Sequence, residues 1–116
     1  MKSNSKVILS SHSLAGTTAV TSTIVPLINV YAFALQAVVT GSVFAGAYQM
    51  YISCDEGLDE SGTGVTNWAT LDSAVTISAA TTTIVNKPDI AYRWLKVVFT
   101  PNNGTGTLTL TVSTKG

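Results

Sequence analysis

Few side chains in this sequence are of the types that do covalent or metal chemistry, and their spacing decides what they can do. His12 is the single histidine and Cys54 the single cysteine. A nucleophilic thiolate needs a base beside it and a group that orients the base. Nothing in the sequence supplies that orienting carboxylate or an oxyanion turn, so Cys54 reads as a half-buried thiol at a strand end and His12 as contact or surface polarity. His12 also lacks a second histidine at metal-ligand spacing. Asp55, Glu56, Asp59 and Glu60 offer oxygen ligands of the kind calcium takes, with Asp55 and Asp59 the best placed. The spacing departs from an EF-hand, which would need glycine where Glu60 stands and a glutamate where Thr66 stands. A solvated acidic loop is therefore the expectation, with no resident metal or cofactor. Gly62-Thr63-Gly64 and Gly104-Thr105-Gly106 neither open a helix nor carry the lysine of a phosphate cradle, so both read as turns.

Flat rings are the remaining chemistry. Tyr51 and Trp68 would make a stacking platform for a sugar if both were exposed on one face, whereas Trp94 lies in an apolar run and reads as core. Trp68 would otherwise close one end of the fold. No constellation of base, nucleophile and stabiliser can be assembled, and the expectation is a protein that is not an enzyme.

The elements that must position these residues are strands. Val, Ile, Thr and aromatic residues fill short runs between Gly, Asn, Asp and Pro, and no helical stripe with start and stop signals is present. Residues 6–10 predict a first strand, and residues 11–23, rich in Ser, Thr and Ala, an extended arm, an edge strand or both. Residues 27–40 predict a long or bent strand with Tyr31, Phe33, Leu35, Ala37 and Val39 on one side. A hairpin connection is expected over 41–46, then a strand that turns Tyr48, Met50 and Ile52 inward. Three short strands follow the acidic loop of residues 55–64, over 65–71, 75–77 and 81–85. Residues 92–100 predict a central strand buried on both faces. The turn Pro101-Asn102-Asn103-Gly104 leads to a last strand with Leu108, Leu110 and Val112 facing in. About seven to eight strands at this spacing make an all-β, single-domain antiparallel β-sandwich over residues 1–116, with jelly-roll connections as one arrangement and residues 1–25 as arm or edge strands.

Charge narrows the partners. Six Lys plus Arg balance six Asp plus Glu, and only 10% of the 116 residues are charged, against about 25% in an ordinary soluble domain. With no basic surplus, nucleic acid is not an expected partner. Residues 27–47 are apolar and long enough to span a bilayer, but Asn29, Gln36, Gly41 and Gly46 interrupt them and no positive cluster flanks them, so no membrane is expected either. The apolar run Val7-Ile8-Leu9 is too short for a secretory signal, which makes the Asn103-Gly104-Thr105 sequon a chance match. A neutral, charge-poor surface protects poorly against self-association, which suits a member of an assembly.

The run Tyr48-Gln49-Met50-Tyr51-Ile52-Ser53-Cys54-Asp55, then Asn67-Trp68, then Tyr92-Arg93-Trp94-Leu95-Lys96-Val97-Val98-Phe99, then Gly104-Thr105-Gly106-Thr107-Leu108 with a terminal Lys115-Gly116, resembles small β-sandwich virion proteins of tailed bacteriophages. The resemblance covers residues 36–116, and the acidic loop is longer than the short Asp-Gly turn usual in that family. It implies a structural place in a virion, as capsid decoration or as part of a tail or neck, without an active site. The expected partners are then copies of itself, a trimer by analogy with capsid-bound sandwiches, and a major capsid or tail protein. The segment of residues 7–54, which holds no Asp, Glu, Lys or Arg, would supply the contacts, with Ser10, Ser13, Thr17, Thr21 and Thr23 as interface residues. A carbohydrate or host-surface binding module of a tail appendage, using Trp68 and Tyr51, is the alternative.

Overall fold

The structure, a computed structural model, describes residues 3–41 and 46–116. It contains nine strands: β1 (Ser3–Ser13), β2 (Val20–Thr21), β3 (Val25–Pro26), β4 (Ala32–Thr40), β5 (Gly46–Ser53), β6 (Ala69–Ile77), β7 (Thr82–Lys87), β8 (Trp94–Thr100) and β9 (Thr107–Lys115). One sheet has the order β1-β9-β4-β7 and the other β2-β8-β5-β6, with β3 also on β8. Every pairing is antiparallel.

β2 and β3 are two pieces of one edge strand, interrupted at Ser22. There the side chain replaces a ladder carbonyl: the Ser22 hydroxyl accepts the Val97 N–H at 2.9 Å and donates to the Thr23 carbonyl at 3.0 Å. Counting that strand once gives eight, and their pairing is nested: first with last, second with seventh, third with sixth, fourth with fifth. This is the jelly-roll form of the β-sandwich that the sequence predicts. No helix among the described residues is long and apolar enough to cross a membrane.

Period-two alternation builds the core. β4 turns Phe33, Leu35, Ala37 and Val39 inward, β9 Leu108, Leu110 and Val112, β5 Tyr48 and Met50, and β8 Leu95, Val97 and Phe99; all are buried. Each large apolar side chain buried in this way stabilises the fold by about 1.5–3 kcal/mol. Tyr31 lies before β4 and is exposed, so the inward row begins one step later than the pattern predicts.

Several boundaries differ from expectation for identifiable reasons. β1 is twice the predicted length because β9 lies alongside it to Ser13. Within residues 11–23, residues 11–13 end β1 and 20–21 form β2, both edge strands, and the connection between them is held to the sandwich instead of reaching out as an arm. Leu14 is wholly buried, and its N–H and carbonyl bond Gly106 and Gly104, while Thr23 N–H bonds the Ile8 carbonyl across to the other sheet. β6 runs continuously through Asp72-Ser73, where the sequence suggests a break. A bulge absorbs Asp72 at φ 61°, and the Gln49 amide plugs it by donating to the carbonyls of Met50, Leu71 and Asp72. The 41–46 connection joins strands of different sheets instead of forming a hairpin; its residues 42–45 lie outside the described residues. The turn after β8 also crosses between sheets. It ends at Gly106 (φ 108°), where a Cβ would collide with the Thr40 carbonyl oxygen.

Candidate functional site

The acidic loop folds over the outer surface of the second sheet, and Asp55 holds it there. Its carboxylate accepts the backbone N–H groups of Thr66 and Asn67, both at 2.9 Å, and the Asn67 side-chain amide at 3.1 Å. The loop is thus closed on itself across its own length. The Asp55 carbonyl accepts the Trp94 indole N–H at 2.9 Å, which ties the closed loop to β8. Trp94 is 1% exposed, as core burial predicts, but it stands outside the inter-sheet cluster. It lies on the outer side of β8, beneath the loop, where a Cβ on Gly57 would come within 2.7 Å of its ring.

Asp59 repeats the device on a smaller scale, with its Oδ1 accepting the Ser61 N–H at 2.8 Å. These donors hold both carboxyls below the ordinary aspartate value: the Asn67 and then the Thr66 backbone N–H for Asp55, and the Thr63 side chain and then the Ser61 N–H for Asp59. The two residues offered as calcium ligands face separate sets of backbone donors. Among the described residues, no three His, Cys, Asp or Glu side chains are grouped to hold a metal.

Tyr51 and Trp68 do come together, through a residue that the sequence reading passed over. Lys96 is the cross-strand partner of Tyr51. Its ammonium lies 4.3 Å from the centre of the Trp68 ring and 5.7 Å from that of Tyr51. A cation placed over two ring faces is attracted by both quadrupoles. The signal was available: a lysine between Leu95 and Val97, two core residues, must point to the opposite side of the sheet. In this arrangement Lys96 occupies one face of each ring.

His12 and Cys54 are not neighbours in function. His12 packs edge-on against Phe99, ring centres 5.9 Å apart. Cys54 is exposed and follows Ser53, whose partner on β8 is Trp94. Trp94 and Phe99 are five positions apart along β8, roughly 17 Å at strand spacing. No protein-family model and no curated protein matches the chain.

The five residues expected at an interface, Ser10, Ser13, Thr17, Thr21 and Thr23, are all exposed. Ser10 and Ser13 belong to β1, Thr21 to β2 of the second sheet, and Thr17 and Thr23 to the connections beside β2; of the five, register puts only Ser13 on a larger surface, the outer face of the first sheet. Register places on it Ser5, Val7 and Ser13 of β1; Thr107, Thr109, Thr111, Ser113 and Lys115 of β9; Ala32, Ala34, Gln36, Val38 and Thr40 of β4; and Thr82, Ile84 and Asn86 of β7. Lys115, at one end, is the only charge among them. Val7 and Ile84 are 50% and 62% exposed. Some hydroxyls here bond one another: Thr40 and Thr107 at 2.8 Å, and Ser5 with Ser113 and Ser11 with Thr109 at 3.5 Å. Of the other charged residues described, Lys6 is on β1 at an inward-facing register position opposite buried Val112, and the rest lie on the acidic loop and around β6–β8.

Proposed function

We propose that this chain is a non-enzymatic bacteriophage virion structural protein, a capsid decoration or cement component that associates with copies of itself and packs on a larger coat or tail protein. The observation that carries the reading is the outer face of the first sheet, four strands wide and, among the described residues that register places on it, charged only at Lys115. Interfaces are depleted of charge at their centre, because an ion buried without a partner costs several kcal/mol. Hydroxyls already bonded to each other, such as Thr40 with Thr107, lose little when water is excluded. The jelly roll adds a fold-level analogy, since viral capsid domains use it, and the resemblance of residues 36–116 points the same way.

The test is sizing of the purified chain, followed by sedimentation with particles that lack it. Association with itself and with the particles is expected. Gln36→Lys, a charge at the middle of the face, should abolish sedimentation with particles while leaving the melting temperature nearly unchanged. A chain that stays monomeric and ignores the particles would sink the reading.

One observation favours the carbohydrate-binding alternative: the Tyr51 and Trp68 rings lie close to each other on the other sheet, both beside Lys96. A sugar would have to take the opposite face of the Trp68 ring or displace Lys96, so quenching of Trp68 fluorescence by oligosaccharides, absent in Trp68→Ala, is the discriminating measurement.

A further inference from the structure

We infer that the self-association surface is the free edge of β7, which pairs with β7 of a second copy about a twofold axis at Ile84. The inference deepens the self-association in the reading above and rests on it.

The sandwich has four edge strands, and three of them carry devices that discourage pairing. β1 is broken by register shifts after Val7 and after Leu9. The β2–β3 edge consists of two-residue pieces and contains Pro26. β6 is bulged at Asp72. β7 has none of these: all six of its residues pair with β4 without a shift. Its one charge, Lys87, is tied back to Asp72 on the other sheet.

The direction of its backbone groups follows from one pair of bonds. Thr81 exchanges both N–H···O bonds with Val39 of β4, at 2.9 and 3.1 Å. In an antiparallel ladder such exchanging residues alternate. Thr83, Val85 and Lys87 therefore also face β4, and the N–H and C=O of Thr82, Ile84 and Asn86 point away from the sheet. Those six groups make a self-complementary set. With the axis at Ile84, Ile84 meets Ile84 of the second copy, and each Thr82 meets Asn86. The six outward groups of each copy are all used, in six hydrogen bonds. The side chains agree: an exposed Ile84 pair is flanked by Thr and Asn, both uncharged, and no like charges face each other. A generic partner strand would satisfy the backbone but has no reason to match this order. The symmetry is twofold, where the analogy with capsid-bound sandwiches gives a trimer. Pairing also joins two outer faces into one eight-stranded, charge-poor surface.

Amide hydrogen exchange of the full chain across a concentration series tests the pairing directly. The amides of Thr82, Ile84 and Asn86 should gain at least tenfold protection as the dimer forms, while those of β1 and β6 edges do not. Ile84→Pro removes an outward N–H that β4 does not use, and Ile84→Lys keeps the N–H but sets two ammonium groups across the axis. Each should weaken the dimer at least tenfold in sedimentation. A monomer at every concentration, a dimer unmoved by both variants, or protection of β7 that arises only with coat particles would overturn the pairing. Particle binding that survives Ile84→Lys would leave the virion reading standing; β7 protection in a chain that ignores particles would sink that reading alone.

Discussion

Replacing Trp94 with phenylalanine separates a loop that is merely near the sheet from one that is bolted to it. The substitution deletes the indole N–H and leaves the Asp55 carbonyl without its 2.9 Å donor beneath a closed loop. Losing one partner of a sequestered hydrogen bond costs about 1–3 kcal/mol. The side chain is 1% exposed, so the missing part of the ring also leaves a gap that Gly57, which lies against the ring and has no side chain, is poorly able to fill. Shrinking a buried aromatic by less than its full volume adds on the order of 1 kcal/mol. The sum, about 2–4 kcal/mol, corresponds to a fall in melting temperature of roughly 6–16 °C for a chain of this size. Thermal melts and urea titration measure it. Limited proteolysis should at the same time cut residues 55–64 faster than in the parent chain. A loss below about 0.5 kcal/mol, with the loop still resistant, would show that the indole bond does not hold the loop and would refute the reasoning.

The same loop should open in acid. Asp55 and Asp59 titrate below the ordinary aspartate value of 3.8, so the stability they contribute is present above that pH and is lost as pH falls through their lower folded values. Proteolytic cutting of residues 55–64 should therefore rise only below about pH 4, and Asp55→Asn should flatten that dependence. Lys96→Ala should lower stability by about 0.5–1 kcal/mol and shift the Trp68 emission, because the ammonium leaves the ring; an unchanged spectrum would place the cation elsewhere in solution.

Strand identity was legible where one face is wet and the other buried, as in β5 and β9, because alternation then reports both period and direction. It failed at Asp72-Ser73, where two turn-forming residues sit inside a strand whose bulge is sealed by Gln49, a residue 23 positions earlier. Turn chemistry at Pro101-Asn102-Asn103-Gly104 signals that the chain reverses, but not that it changes sheet, since the destination depends on which strand already occupies the neighbouring place. Trp94 was legible as buried but not as buried outside the core, because what covers it is a loop with no periodicity of its own. The stacking candidates Tyr51 and Trp68 were recognisable by type. Their meeting at Lys96 required the register of β5 with β8 for Tyr51 and of β5 with β6, which Trp68 precedes, and no local pattern encodes either.

The nesting of the strands bears on how the chain can be made. Ser3 pairs with Lys115, and every rung of β1 on β9 joins the two extremes of the described chain. During synthesis the first strand must wait for the last to leave the ribosome, with the inner pairs, β5 on β6 and β4 on β7, able to form much earlier. Long-range pairings of this kind fold on millisecond-to-second timescales. Until then β1 is a partnerless strand, and a nascent chain held at that stage is the form most exposed to capture by a chaperone or by another unfinished copy.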